Sequence, residues 1–326
     1  MARTSRPGDG MTRPHPSFFS IIVPSYNYAH CLPRVLDSVF SQGGDDYEII
    51  VVDDGSTDNT ADVMQGYMTR ADGRLIYVRQ ENRGPSAARN HGIALATGRY
   101  VLFVDADDVL LPGALDRFRT ALATRPSLDY ALGGYLLVRI DGRVKHRPAL
   151  KLGSRREENF ARYLHSDLNI ICCGCLVVHR RVFDRIRFPG SDIMWEDIIF
   201  NAQLLALYDG IAFPDPVARI IRHTDSLGHN QARIKREYRK PLDLLFDPSV
   251  LPPRLMTMHD EFLSIICLQQ FTFLYKRGYY GEAKALYGEA IRAYPRHLLK
   301  LQPLRRYLSI RVGWKRQKEG RLHRPV

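Results

Sequence analysis

The first half of the chain alternates short apolar runs with amphipathic stretches. FFSIIVPSY is an apolar run interrupted only by Ser20 and closed by Pro24; Leu32, Val35, Leu36, Val39 and Phe40 then recur at helical spacing. EIIVVDD predicts a second buried strand. DGSTDNTADVMQGYM predicts the helix behind it, with Ser56 and Thr57 as candidate N-caps. LIYVRQ reads as a third strand and PSAARNHGIALA as a third helix, with Pro85 in its first turn and Gly98 beyond its end. RYVLFVDADD reads as a fourth strand. Continuous apolar strands alternating with helices predict βαβ units and a parallel sheet.

The pattern loosens after about residue 125. LDYALGGYLLVR predicts a strand, Asp141 to Arg143 a hairpin turn, ICCGCLVVH another strand and WEDIIFNAQLLALY a helix. FPDPVARIIRH reads as a late strand ending in His223, and from about Arg254 onward the periodicity is helical. The first 17 residues, polar and rich in Pro, Gly and Arg, predict a disordered leader with no signal-peptide core. No apolar run approaches the roughly 20 residues that span a bilayer. Five cysteines, odd in number and unevenly spaced, make a poor disulfide framework and point to a reducing, cytoplasmic setting. ICCGC has no Cys/His pair at zinc spacing elsewhere and reads as a strand carrying small thiols.

Polar residues gather where the strands end. Ser25, Tyr26 and Asn27 follow the first, Asp53 and Asp54 the second, and Asp105, Asp107 and Asp108 the fourth. Ligands of open α/β sheets bind beyond the carboxyl ends of the strands. Like charges repel, so acidic clusters there suit a cation. Asp105 and Asp107 alternate on one side of the chain and can share Mg²⁺ or Mn²⁺, which prefer oxygen ligands and substrate phosphates. A solvated turn is the plain alternative for this run, and helix capping for Asp53, Asp54 and Asp108.

SIIVPSYN, VVDDGSTDNT, RGPSAARNHGIALATGRYVLFVDADD and WEDIIF, in this order over residues 18 to 230, resemble glycosyltransferase family 2. The resemblance implies the GT-A fold: α/β with a mixed, mostly parallel central sheet, here followed by a helical C-terminal region from residue 231 to 326. It implies an inverting transfer of a sugar from a nucleotide-diphosphate donor, commonly UDP, to an acceptor hydroxyl on a glycan or lipid-linked acceptor, as in bacterial polysaccharide or lipopolysaccharide synthesis. Asp107 becomes the metal ligand and Asp105 a ribose or metal contact, with His223 a third ligand or a structural histidine. Pro24, Tyr26 and Asn27 line the base pocket, though Tyr26 also suits core packing. Asp54 contacts base or ribose. Gly84 lets the backbone approach the donor, and Arg89 positions Asp54 or the donor, or is a helix-surface arginine. Of the ED pair, Asp197 is the base and Glu196 the acceptor-hydroxyl ligand; complementing a helix dipole is the alternative for both.

RGYYGEAKALYGEAIRAYP, after FLSIICLQQFTFLY, resembles a single tetratricopeptide unit. Beyond Pro295 a basic run from Arg296 to Arg324 is interleaved with leucines and Trp314. It suits a helix on an anionic membrane, peripheral to its inner face, or a helix closing the core. The net charge of +12 fits a polyanionic partner, but no nucleic-acid motif accompanies it. Two rival functions remain. A sugar-nucleotide nucleotidyltransferase would need a Gly-rich basic loop that PSYNYAHC lacks. An adaptor built on an inactive glycosyltransferase-like domain would have lost an acidic motif, and all are present.

Overall fold

Residues 47–53 contain five aliphatic or aromatic side chains and no glycine or proline, a sequence suited to a strand covered on both faces. In the computed structural model all seven of these residues are buried. The structure describes residues 17–71, 73–125, 127–149, 151–165, 174–190, 195–222 and 239–311. The leader up to Pro16, Cys172, Cys173, His223 and the tail after Arg311 lie outside the described residues.

The strands are β1 (Phe19–Ser25), β2 (Tyr47–Asp53), β3 (Leu75–Arg79), β4 (Tyr100–Phe103), β5 (Val109–Leu110), β6 (Tyr130–Val138), β7 (Val144–Arg147), β8 (Leu176–His179) and β9 (Gly210–Ile221). They form one sheet in the order β3-β2-β1-β4-β8-β6-β9-β5, with β7 paired to β6. β3, β2, β1 and β4 run parallel. β8 enters antiparallel between β4 and β6, and β9 runs parallel to β6. The helices α1 (Leu32–Phe40), α2 (Thr60–Met68), α3 (Pro85–Leu95) and α4 (Ala114–Ala123) connect the early strands. α3 lies so close to β1 that a Cβ on Gly92 would meet Ile22 at 2.4 Å. A buried node supports the same elements. Glu48 Oε1 accepts from the Ser20 hydroxyl, from Thr97 N–H and O–H, and from Gly98 N–H, at 2.7 to 3.2 Å.

α2 starts later than the sequence pattern implies. Neither Ser56 nor Thr57 caps it; Asp58 Oδ1 accepts instead from Thr60 N–H at 3.1 Å and Thr60 O–H at 2.6 Å. β8 starts at Leu176, so Gly174, at φ +70°, and Cys175 precede the strand. Among the described residues Cys31, Cys175 and Cys267 are buried and form no disulfide.

The remaining helices are α5 (Arg156–Leu164), α6 (Glu196–Leu207), α7 (Arg239–Leu245), α8 (Pro253–Met256), α9 (His259–Arg277), α10 (Tyr280–Ala293) and α11 (Leu301–Arg311), with a 3₁₀ turn at Pro295–Leu299. The chain forms two compact units that interleave along the sequence, rather than dividing once near residue 230. The first contains residues 1–152, 170–192 and 208–224, and the second 153–169, 193–207 and 225–326. α5 packs on α6 and α6 on α7, which places both in the second unit; Gln203 donates to Leu244 O and Arg156 to Leu207 O. In that unit α9 and α10 form a hairpin turned at Gly278, φ +85°, with Ala283 and Ala290 fully buried at the crossing. Among the described residues no helix is long and apolar enough to cross a membrane.

Candidate active site

β1, β2 and β3 end in register, Ser25 beside Asp53 and Asp53 beside Arg79, so the turns that follow share one edge of the sheet. Asn27 takes φ +59°, a left-handed conformation that Asn tolerates better than most side chains. Its amide oxygen accepts from Thr57 N–H at 2.8 Å and its own N–H donates to Ser56 Oγ at 2.9 Å. Two strand-end loops are thereby joined. Tyr26, beside this joint, is 44% exposed, so the ring stands off the core and free to meet a flat apolar ligand face.

Asp53 and Asp54 do different work. Asp53 accepts from Ser56 N–H at 2.8 Å and Tyr77 O–H at 2.7 Å, closing its own turn. The phenol pays for that bond in acidity: burial first, then the Asp53 carboxylate, push Tyr77 well above the usual tyrosine range. Asp54, only 4% exposed, accepts from Gln80 at 2.7 Å, from Arg83 N–H at 3.0 Å and from Gly84 N–H at 2.7 Å. It holds the segment entering α3, where Gly84 adopts φ +83°, a conformation that disfavours a side chain. Three of the roughly four acceptor positions of this carboxylate are engaged.

Arg89 bonds Asp105, not Asp54. It is 6% exposed, its Nη2 lies 3.1 Å from Asp105 Oδ1, and its guanidinium stands 5.3 Å from the centre of the Phe188 ring. The helix-surface alternative is excluded by this burial. Asn90 fastens the same loop, donating to Phe188 O at 2.9 Å and accepting from Phe188 N–H at 3.3 Å.

The DADD run divides between opening and core. Asp105 and Asp107 are half-buried, whereas Asp108 is buried and accepts from Ile221 N–H at 3.0 Å. Asp108 therefore ties β9 to the acidic loop instead of capping a helix. Its carboxyl is raised well above the usual range, first by burial and then by Asp105 and Asp107. Hard oxygen donors with surplus negative potential fit Mg²⁺ or Mn²⁺ in preference to a soft-ligand metal. Among the described residues no three His, Cys, Asp or Glu side chains group as a metal site. A cation here would rest on Asp105 and Asp107 and complete its shell with other oxygens. Arg34, exposed on α1, donates to Asp107 O at 2.8 Å and puts a cation beside this loop.

Glu196 and Asp197 lie in the second unit, half-buried in the first turn of α6, after Trp195 at φ +70°. Asp197 Oδ1 accepts from Ile198 N–H at 2.8 Å. Sequence reading overlooked Arg34, Gln80, Asn90 and Phe188. Their only signal is proximity to the motifs, since each acts through contacts made across 26 to 99 residues of chain or through a neighbouring backbone.

A mixed α/β sheet with acidic and glycine-bearing turns gathered at the carboxyl ends of its parallel strands has the arrangement in which open α/β sheets bind ligands. The sequence profile of glycosyl transferase family 2 matches residues 20–187, just over half of the 326 residues, and the chain belongs to that family. An uncharacterised glycosyltransferase of Nostoc sp. is 35% identical over 180 residues, 54% of this chain and 55% of the relative, so the chain spans about half the length of this relative. TarS residues 1–349 of S. aureus in complex with UDP-GlcNAc superimpose with a TM-score of 0.65 at 20% identity, covering 90% of this chain and 92% of TarS. The mannosyltransferase PcManGT of Pyrobaculum calidifontis, in complex with GDP-Man and Mn²⁺, superimposes with a TM-score of 0.55 at 20% identity, over 95% and 83%. The GT-A fold expected from the motifs is the fold observed.

Proposed function

We propose that the chain moves a sugar from a nucleoside-diphosphate donor, a UDP-sugar in the first instance, to an acceptor hydroxyl with inversion at the anomeric carbon. The observation that carries this reading is the acidic loop Asp105–Asp108 beside the turns of Tyr26–Asn27 and Asp54–Gly84 at one sheet edge. The bound UDP-GlcNAc of TarS and the GDP-Man and Mn²⁺ of the mannosyltransferase support a nucleotide sugar and a divalent cation. Tyr26 would take the base, with Pro24 and Asn27 shaping the turn, and the last acceptor position of Asp54 would receive a base or ribose donor. Asp107 and Asp105 would hold Mn²⁺ or Mg²⁺, with His223 the third candidate. Such a cation, when bound, neutralises charge developing on the departing diphosphate.

Arg89 would then be a positioning residue that aims Asp105, and Arg34 would meet phosphate oxygens as a point of fixed positive charge. Asp197 would accept the proton of the attacking hydroxyl while Glu196 orients it, a contribution of roughly 10²–10⁴-fold in rate. One base with no enzyme nucleophile predicts direct displacement and inversion. A glycan or lipid-linked acceptor in bacterial polysaccharide or lipopolysaccharide synthesis suits this chemistry.

Two variants measured side by side test the reading. Asp107→Ala should lose the Mn²⁺-dependent part of UDP binding in calorimetric titration. Asp197→Asn should keep that binding and lose transfer by roughly 10²-fold or more. Equal metal dependence in Asp107→Ala and wild type would overturn the metal assignment. Normal transfer by Asp197→Asn with loss in Glu196→Gln would reverse the acceptor-side roles.

A further inference from the structure

The C-terminal segment of the second unit carries apolar surface that its own core does not use. The face of α11 that packs inward consists of Leu304, Tyr307 and Ile310, set against the cluster of Cys267, Phe271 and Tyr287. Tyr307 stacks on Tyr287 with ring centres 4.2 Å apart. That contact already satisfies the helix. Yet Leu298, Leu299, Leu301 and Leu308 are all exposed, Leu299 by 81% and Leu301 by 69%. The other large exposed apolar side chains of the described residues, Tyr26, Met68, Ile140 and Val144, are spread over the first unit. Single exposed leucines need no explanation, but four within eleven residues form a patch.

The charge around the patch is of one sign. From Ala290 to Arg311 there is no Asp or Glu, while Arg292, Arg296, Lys300, Arg305, Arg306 and Arg311 fall in that span. Arg306 is engaged with Thr272 and the Tyr275 ring. Arg296, Lys300 and Arg305 are exposed beside the leucines. Leu301, Arg305 and Leu308 recur at steps of four and three, so they share one helix face. His297 fixes how the turn is presented: its Nδ1 meets Ser264 Oγ at 2.8 Å, seating it on α9 while Leu298 and Leu299 project beyond.

We propose that this face, Leu298, Leu299, Leu301 and Leu308 framed by Arg296, Lys300 and Arg305, is a docking surface for an anionic lipid bilayer. Aliphatic side chains enter the boundary between headgroups and acyl chains, and the long basic side chains reach lipid phosphates from beside them. A second copy of this chain is the poorer occupant, because a homotypic contact would set one basic rim against another. The inference is independent of the transfer reaction proposed above.

The test is sedimentation of the full chain with phosphatidylcholine vesicles, with and without phosphatidylglycerol. Wild type should bind only the anionic vesicles and release at high salt. Leu298→Ser/Leu299→Ser/Leu301→Ser should weaken that binding by at least about tenfold, with near-UV circular dichroism unchanged. Should that variant fail to fold, Lys300→Glu/Arg305→Glu, confined to exposed charges, should give the same loss. Failure of wild type to bind overturns the proposal. So does undiminished binding by the folded variants, which would move binding elsewhere, including to the residues beyond Arg311. A wild-type dimer in sedimentation velocity that the leucine variant dissolves would make the face a homotypic interface instead.

Discussion

Arg89 is a cation inside the protein, and its surroundings explain why that position needs arginine. One edge of the guanidinium meets Asp105 while its face lies over Phe188, a combination a lysine ammonium cannot reproduce. Removing it leaves the Asp105 carboxylate beside Asp107 and the buried Asp108 without its nearest compensating charge. Arg89→Ala should destabilise the chain by roughly 1–3 kcal/mol, less than the ~3–5 of a fully buried pair because Asp105 remains open to water. Arg89→Lys should recover only part of that loss. Urea denaturation measures both, and an unchanged midpoint in Arg89→Ala would mean that its contact with Asp105 contributes nothing to stability. The motif RGPSAARN marks the neighbourhood of Arg89 but not its partner. A pairing between residues 89 and 105 depends on how α3 packs on β1, which spacing along the chain does not encode. Asp54 shows the converse. Its position at a strand end was legible, whereas its three protein donors arrive from residues 80, 83 and 84 after the chain has returned.

At the scale of elements, the parallel half of the sheet was legible because strands covered on both faces must be continuously apolar. α5 and α6 illustrate what periodicity leaves open. Their apolar residues show that they are helices, but not that α5 packs on α6 and α6 on α7 while β8, the strand between them, joins the sheet. The 3₁₀ turn at Pro295–Leu299 was read only as the start of a basic tail, and its anchor is His297. Burial lowers the imidazole below its ordinary 6.5, the charges of Lys300 and His165 lower it further, and Glu261 opposes them. Between the folded and unfolded values the unfolded chain takes up a proton that the folded chain refuses. The stabilisation from a neutral His297 is therefore complete above 6.5 and lost as pH falls from there through the folded value. Wild type should lose more stability than His297→Gln between about pH 7.5 and about pH 5. Urea midpoints of the two proteins at both pH values give the comparison. Parallel losses would mean that His297 does not titrate between the two states.

At the scale of the whole molecule, each unit has its own core, and the residues proposed for the donor, Tyr26, Asn27, Asp54, Asp105 and Asp107, all belong to the first. A ligand stabilises whatever folds together with its site. At a concentration about 100-fold above its dissociation constant, UDP with Mn²⁺ should add about 2.7 kcal/mol to the unit that binds it. For a domain in the range of about 150–250 residues, that corresponds to a rise of roughly 5–10 °C in the thermal midpoint. Scanning calorimetry should show this rise in the transition of the first unit. If the second unit melts separately, its transition should stay in place, because α9, α10 and α11 are held by the cluster around Phe271 and Tyr287 rather than by donor contacts. A single transition moving as one would mean that the units unfold cooperatively. In either case Asp107→Ala should abolish the Mn²⁺-dependent part of the rise. If only the second unit's transition responds to UDP and Mn²⁺, the donor site does not lie on the strand ends of the first, and the assignment of Tyr26, Asp54 and Asp107 to it fails.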